Sequence, residues 1–516
     1  MHFHQHRPGG VTQKSDLYLA DLARDLKKTL AKSQQKFARP SLRMTRWELD
    51  EISAACVEFA EDLHNDIGIW KSLENYNREF FNTPLPLILR PGESMNNEFL
   101  NENRTRHLLL GLFQELRPGF ILSPTHPDLL LLSKTIADFL ANRFADIQKG
   151  SGIKKFLEQP NEYGWDVKRK LVWLGQHSYL FRQNFENYVE KNGGEANIPT
   201  IDDFICQENT VWSGLGVIDI LAAILDITEK QRSDLRSWYE RHFAYYRVLS
   251  IHGETIRVLN LINEKPYTVR NGQGKTPFKL QHFIIGSLVP WNGEWYWSGQ
   301  QLDYKELTKQ QIHEIVKDFK RKAAKITYRY CHDLAEKARD FVKKNYDDFV
   351  AFHGEDLVVS ADGKSMAAAM QEQLRALYDS RPQEIVEEVR KKHNIPEGGP
   401  KVTYPPDIAE NQNGVAIFFN PDEGQEIVPD YYHIDSGFKK KGKNLTDDER
   451  DAINLFIFSD AVSPRFVNRL IEKYGDESIA AAFFIRDVED KTYVEYLLRS
   501  NKGHFYRKRY PFITIV

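Results

Sequence analysis

Tyr245-Tyr-Arg-Val-Leu-Ser-Ile251, His252-Gly253, Thr255-Ile-Arg-Val-Leu-Asn260 and, further on, Trp291-Asn-Gly-Glu-Trp-Tyr-Trp-Ser298 belong to the stretch that decides the fold. Apolar and polar residues alternate through it, and Gly and Asn punctuate it at short intervals. A half-buried strand needs that period of two. The pattern predicts strands near Tyr245–Ile251, Thr255–Asn260, Lys265–Arg270, Phe283–Pro290 and Glu294–Ser298, with His252-Gly253 and Asn292-Gly293 as hairpin turns. About five short strands between Tyr245 and Tyr304 imply a small, strongly bent sheet or partial barrel.

On both sides the period lengthens to that of a helix. From Ser15 to Tyr239 the sequence reads as almost continuous helix. Leu19, Leu22, Ala23, Leu26 and Leu30 share one face behind a Ser15 cap, and Leu49, Ile52, Cys56, Phe59, Ala60 and Leu63 share another. Capping boxes stand at Thr45-x-x-Glu48, Thr228-x-x-Gln231, Thr308-x-x-Gln311 and Thr446-x-x-Glu449, and Ser463-Pro464 opens a further helix. Downstream of the strands, Ile312, Val316, Phe319, Ala323, Ile326, Tyr330, Leu334 and Phe341 follow at spacings suited to one side of a single helix. Unbroken to Asn345, it would be about 55 Å long. Pro and Gly crowd residues 394–413. The expected organisation is therefore a flexible tail (1–14), a helical domain (15–243), a small barrel-like β-module (244–306), a helical region with a long basic helix (307–393), a linker (394–413) and a C-terminal α+β region (414–516). The fold class is α+β, predominantly α: a multi-helix body with an inserted antiparallel β-module.

Composition bounds the function. The chain has 516 residues; 12% are aromatic, too many for a disordered polymer. Lys plus Arg number 70 and Asp plus Glu 73, a net charge of −3 that argues against a uniformly basic nucleic-acid coat. Three scattered cysteines, Cys56, Cys206 and Cys331, make neither a disulfide framework nor a CxxC pair. The first residues lack an apolar signal core, and the longest apolar run, Val217 to Leu225, is too short to span a bilayer. A cytoplasmic location without membrane contact is expected. Gly272-Gln-Gly274-Lys275-Thr276 hints at a phosphate loop, but Val269 stands where the first Gly is required and Pro277 follows.

Val289-Pro-Trp-Asn-Gly-Glu-Trp-Tyr-Trp-Ser-Gly299 and Gly414-Val-Ala-Ile-Phe-Phe-Asn-Pro-Asp-Glu-Gly-Gln-Glu-Ile427, preceded by Gly68-Ile-Trp70 and Pro84-Leu-Pro86, stand in a recognisable order. The chain resembles an uncharacterised bacterial family of large proteins with a helical first half, a W-x-G-E-W-x-x-S-G hairpin mid-chain and a late F-F-N-P-x-x-G-x-E segment. The resemblance runs from about residue 45 to about residue 485. It implies an architecture and no activity.

Candidate binding residues come from uneven charge. Ten basic and four acidic residues lie between Lys317 and Lys344. Lys317, Arg321, Lys325 and Arg329 fall roughly opposite the apolar stripe, where a basic ridge would track phosphates. Lys439, Lys440 and Lys441 form a second cluster, and His504 to Tyr510 mixes cations with aromatics. Trp295 and Trp297 share one strand face, with Tyr296 on the other. Exposed, the pair would stack bases; buried, it would fill a core. These features suggest a non-enzymatic binding or scaffold protein that contacts a protein partner or a nucleic acid through the basic helix and β-module, with no cofactor. The alternative is a metal-dependent hydrolase or nuclease built on Asp422, Glu423, Glu426, His433 and Asp435, carboxylates and a His gathered around a strand–turn–strand. No HExxH or Gly-x-Ser-x-Gly motif competes with these readings.

Overall fold

The alternation between Tyr245 and Tyr304 closes into a barrel. The structure, a computed structural model, describes residues 3–10, 14–38, 40–95, 99–272, 276–304, 306–322, 332–393, 401–485 and 490–506. Its five mid-chain strands are β1 (His242–His252), β2 (Thr255–Asn260), β3 (Pro266–Arg270), β4 (Phe283–Trp291) and β5 (Glu294–Tyr304). They join in the cyclic order β1-β2-β3-β5-β4. Neighbours run antiparallel except β3 and β5, which meet in parallel at Val269 and Trp295. So few strands close only if they coil strongly, and irregularities at Val248/Ser250 and Ile285/Ser287 supply the extra bend. The turn Asn292-Gly293 has both φ angles positive, 52° and 81°, the hairpin form whose twist matches that of the strands. Ala244, Tyr246, Val248, Ile256, Val258, Val269, Ile284 and Leu288 point inward and form the barrel core.

The helices before the barrel are α1 (Lys14–Ser33), α2 (Arg46–Asn65), α3 (Ile69–Phe81), α4 (Glu102–Leu116), α5 (Pro127–Ala141), α6 (Gly152–Leu157), α7 (Gly164–His177), α8 (Arg182–Lys191), α9 (Ile198–Gln207), α10 (Val217–Ile224) and α11 (Glu229–Arg236). The expected stripes of α1 and α2 are buried, apart from a partly exposed Leu63, and the Thr45 and Thr228 capping boxes form. Two details differ from expectation. Ser15 sits inside the first turn of α1 instead of capping it, and the almost continuous helix read up to Tyr239 is interrupted, for one, between His177 and Arg182. The N-terminal arm is also docked where a flexible tail was expected. Arg7 is buried against Asp16 and Glu61, and the Trp173 indole donates to the His6 carbonyl at 3.0 Å.

The chain forms two compact units, Met1–Cys331 with Arg486–His504, and His332–Ile485 with Phe505–Val516. The first unit also contains α12 (Lys309–Lys322), capped by the Thr308/Gln311 box. It is completed by part of the C-terminal helix Asp490–Tyr506, whose Tyr496 packs on Phe81 and His107. The second unit holds α13 (His332–His353), β6 (Leu357–Ser360), α14 (Gly363–Asp379), α15 (Gln383–His393), α16 (Pro406–Ala409), β7 (Val415–Asn420), β8 (Gly424–Val428), α17 (Tyr431–Lys439), α18 (Asp447–Phe458), α19 (Pro464–Tyr474) and α20 (Glu477–Ala482).

Here the expected boundary at 394–413 is corrected. β6, before that segment, pairs antiparallel with β7, after it, so the segment connects two strands of one sheet, β6-β7-β8. The Gly363 amide donates to the Asn411 carbonyl at 2.9 Å, which ties the connection down. The long-helix stripe is corrected too: Phe341 is 40% exposed, while Ala338, Val342 and Phe349 turn inward. Residues 323–331, which would join α12 to α13, lie outside the described residues. Among the described residues no helix is long and apolar enough to cross a membrane.

Candidate functional site

The end of the mid-chain motif explains how the barrel is mounted. Ser298 on β5 donates its hydroxyl to Asp202 on α9 at 2.9 Å. Lys168 on α7 donates to Ser298 Oγ at 2.9 Å and also to Asp202. Arg241, just before β1, bridges Asp202 and Asp203. A Cβ on Gly299, whose φ is +71°, would stand 2.8 Å from Asp202 Oδ2, so only glycine lets the strand approach. Burial pushes the Asp202 carboxyl up, but Lys168 and Arg241 outweigh it and hold the group below its usual range. Asp202 and Asp203 thus form an ionic clamp with Lys168 and Arg241. Beside it, Cys206 Sγ lies 3.7 Å from Lys168 Nζ; burial pushes this thiol up, which keeps it protonated and a poor nucleophile. Apolar contacts complete the seam. Trp238 and Trp291 meet edge to face at 6.3 Å, and Tyr296 lies over Gly164 and against Trp165.

Trp295 and Trp297 indeed take the face opposite Tyr296. Both are half-buried and pack inward: Trp295 against His242 and Tyr267, Trp297 against Tyr246 and Phe278. The outer wall is different. Tyr245, Ile285 and Leu302 face one another across β1, β4 and β5, and the next row is Arg247, Phe283 and Tyr304. Leu302 is 46% and Tyr304 41% exposed, and Leu280, at the approach to β4, is more exposed still. Tyr245, Ile285, Leu302 and Tyr304 therefore form an apolar strip on the outer wall, beside Arg247 and a Phe283 that is buried. Helix α12 adjoins the barrel: Val316 packs against the barrel core, and the Asp318 charge reaches the Tyr245 phenol, which is raised by burial, then by Tyr304 and Asp318.

Of the predicted basic ridge, Lys317 on α12 is exposed. Arg321 belongs to the same helix, and Lys325 and Arg329 lie outside the described residues. Lys439 pairs with Asp435 at 2.5 Å and Lys440 with Glu449 at 2.7 Å, so two of the three clustered lysines are engaged internally; Lys441 is exposed. Residues 507–510 of the last basic stretch are outside the described residues.

The carboxylates proposed for a metal serve separate tasks. Glu426 is buried and accepts from Asn420 Nδ2 and the Ser463 amide, Asp422 pairs with Arg465, and Asp435 accepts from Tyr474. Glu423 lies in the turn between β7 and β8, and the His433 amide donates to the Asp430 carbonyl in the first turn of α17. Among the described residues no group of three or more His, Cys, Asp or Glu is arranged to hold a metal ion. The structure therefore does not bring the five predicted side chains together on one point: Asp422, Glu426 and Asp435 each hold a different partner.

Sequence reasoning missed a set of buried charges in the helical body. On α2, Glu58, Glu61 and Asp62 are all buried. Glu58 pairs with Arg182 and His6; burial pushes its carboxyl up, but Arg182, His6 and Arg7 prevail and hold it at about 2. Asp62 accepts from the Gly68, Ile69 and Trp70 amides and from the Tyr179 hydroxyl, so it caps α3 from outside. The signal was available: these acids interrupt the apolar rows of α2. Their partners, more than a hundred residues away in the case of Tyr179 and Arg182, were not. On α4, the Trp212 indole crosses Gly111, where a Cβ would clash at 2.1 Å, and donates to Glu115 at 2.5 Å.

Residues 5–206 match the family model described as a protein of unknown function (DUF3843). That span contains Gly68-Ile-Trp70 and Pro84-Leu-Pro86, whereas the motifs at 289–299 and 414–427 lie beyond it. No curated protein and no solved structure matches the chain.

Proposed function

We propose that the protein is a non-enzymatic binding or scaffold protein, and that it contacts a protein partner through the outer face of the barrel next to α12. The observation that carries this reading is the apolar strip of Tyr245, Ile285, Leu302 and Tyr304 on β1, β4 and β5, with Leu302 and Tyr304 exposed on a wall that polar residues would ordinarily cover. The clamp at Asp202 supports it, because it holds the barrel against the helical body and so presents that face rigidly. A protein partner is favoured over nucleic acid because the face is apolar and the exposed charges around it, Asp303, Glu306, Lys309 and Lys317, are of both signs.

A pull-down from the native host tests the reading. The full chain should retain a protein that survives nuclease treatment. The double variant Leu302→Glu/Tyr304→Ala should lose it, since truncating interface anchors costs about 2 kcal/mol or more each. Retention that depends on nucleic acid, or that is indifferent to the double change, would remove the proposal.

A further inference from the structure

We propose that the exposed end of the α1–α2 hairpin binds single-stranded nucleic acid, with phosphates held by Lys32, Lys36, Arg43 and Arg46 and a base stacked on Trp47. The sequence carries the first sign. Leu26 to Trp47 contain seven basic and no acidic residues, in a chain whose net charge is −3. One of the seven, Arg39, lies outside the described residues.

The fold gathers this charge at one place. Lys27 on α1 pairs with Asp50 on α2 at 2.5 Å, and the Met44 amide donates to the Gln34 side chain at 3.0 Å, so the two helices run antiparallel and their connection folds back on itself. Lys32 and Lys36 stand two residues to either side of Gln34, and Arg43, Arg46 and Trp47 stand within three residues of Met44. The connection is fixed from its buried side. Arg117, after α4, donates to the Ser41 and Arg43 carbonyls at 2.7 and 2.9 Å and to Glu48 at 2.6 Å, and the Ala38 amide donates to Asp128 at 2.9 Å.

These contacts also decide which charges are open. Lys27 and Lys28 are paired with Asp50 and Asp25. Glu48 and Asp128, acids that approach this end, are buried and committed to Arg117 and to backbone amides. Lys32, Lys36, Arg43 and Arg46 are exposed, and among the described residues none of them forms an ion pair. The exposed residues between them include Gln35, Ser41 and Thr45, side chains of the kind that hydrogen-bond phosphate oxygens. Trp47 is 48% exposed beside Arg46. A membrane surface would call for an apolar face to insert, and one indole does not make one. An acidic peptide would pair the cations and leave the indole in water. A single strand supplies phosphates and an unstacked base together, and a duplex withholds the base.

Fluorescence anisotropy of the full chain with a labelled oligothymidylate of about 15 nucleotides tests this. Micromolar binding is expected in about 50 mM salt, with log K falling against log salt at a slope of about −3, as four phosphate contacts require. Arg43→Glu/Arg46→Glu should weaken binding about tenfold or more and flatten the slope. Trp47→Ala should weaken it about tenfold with the slope kept. All three side chains are exposed, so the variants should melt as the unaltered chain does. Absence of binding, binding indifferent to either variant, or tighter binding of the matching duplex would overturn the proposal. So would displacement by poly-L-glutamate or phosphatidylserine vesicles as effective as by the unlabelled strand. Leu302→Glu/Tyr304→Ala should leave the affinity unchanged, so the outcome is independent of the pull-down.

Discussion

Asp202 shows what a single side chain contributes. It meets Lys168, Arg241 and Ser298 in one buried place. Asp202→Ala leaves two cations without their shared anion, and breaking a buried pair in this way costs about 3–5 kcal/mol. Urea unfolding should register a loss of that order, against about 1 kcal/mol for Ser298→Ala. On α4, His107 and Glu115 titrate in opposite senses. Burial pushes His107 down to about 3 and Glu115 well above its usual range, and His107 Nδ1 and Glu115 Oε2 are buried without a hydrogen-bond partner among the described residues. Below pH ~6.5 the unfolded chain takes a proton that folded His107 refuses, so stability falls as pH drops from there towards 3. Above pH ~4.3 unfolded Glu115 releases a proton that the folded group keeps, so stability falls as pH rises. Glu115→Gln mimics the protonated acid and should remove the second slope. Urea midpoints at pH 5 and 8 should then show a larger gain for the variant at pH 8; equal differences would refute this.

Elements were legible wherever the signal was local. The strands β2 and β3 begin and end within a residue of the alternation that announced them, because each side of a strand is set by its own sequence. The Thr45, Thr228, Thr308 and Thr446 caps all form, because a capping box spans four residues. Thr446→Ala should therefore cost about 1 kcal/mol, measurable by thermal unfolding. What stayed hidden depended on remote partners. β6 is four residues long and gains its identity from pairing with β7, beyond the Pro- and Gly-rich stretch that suggested a boundary. Phe341 fitted a stripe drawn through one uninterrupted helix, but the inward side of α13 is set by Val342 and Phe349 packing on β7 residues of its own unit. In the candidate site, the aromatic hairpin could be seen in the sequence; which wall of the barrel remains open could not, because that follows from the strand order at closure.

At the scale of the molecule, the chain leaves the first unit near residue 331 and re-enters it near residue 486. The stretch His332–Ile485 of the second unit is thus inserted between two segments of the first, a topology that no local pattern reveals. The returning helix is part of the first unit's packing: Tyr496 meets Phe81 and His107, and Gly503 lies so close to Gly214 that a Cβ would stand 2.8 Å from the Gly214 Cα. Deleting residues 486–516 should expose Phe81 and His107 and lower the unfolding midpoint of the remaining chain, read by the loss of tryptophan fluorescence in urea.

The central claim is a closed barrel clamped to the helical body so that one outer wall stays presented. Amide hydrogen exchange of the full chain over His242–Tyr304 tests it most directly. The account predicts that β1, β4 and β5 exchange slowly and open together with α7 and α9, and that Asp202→Ala speeds exchange in the barrel first. Rapid exchange across those strands in the unaltered protein, or barrel opening indifferent to Asp202, would contradict it.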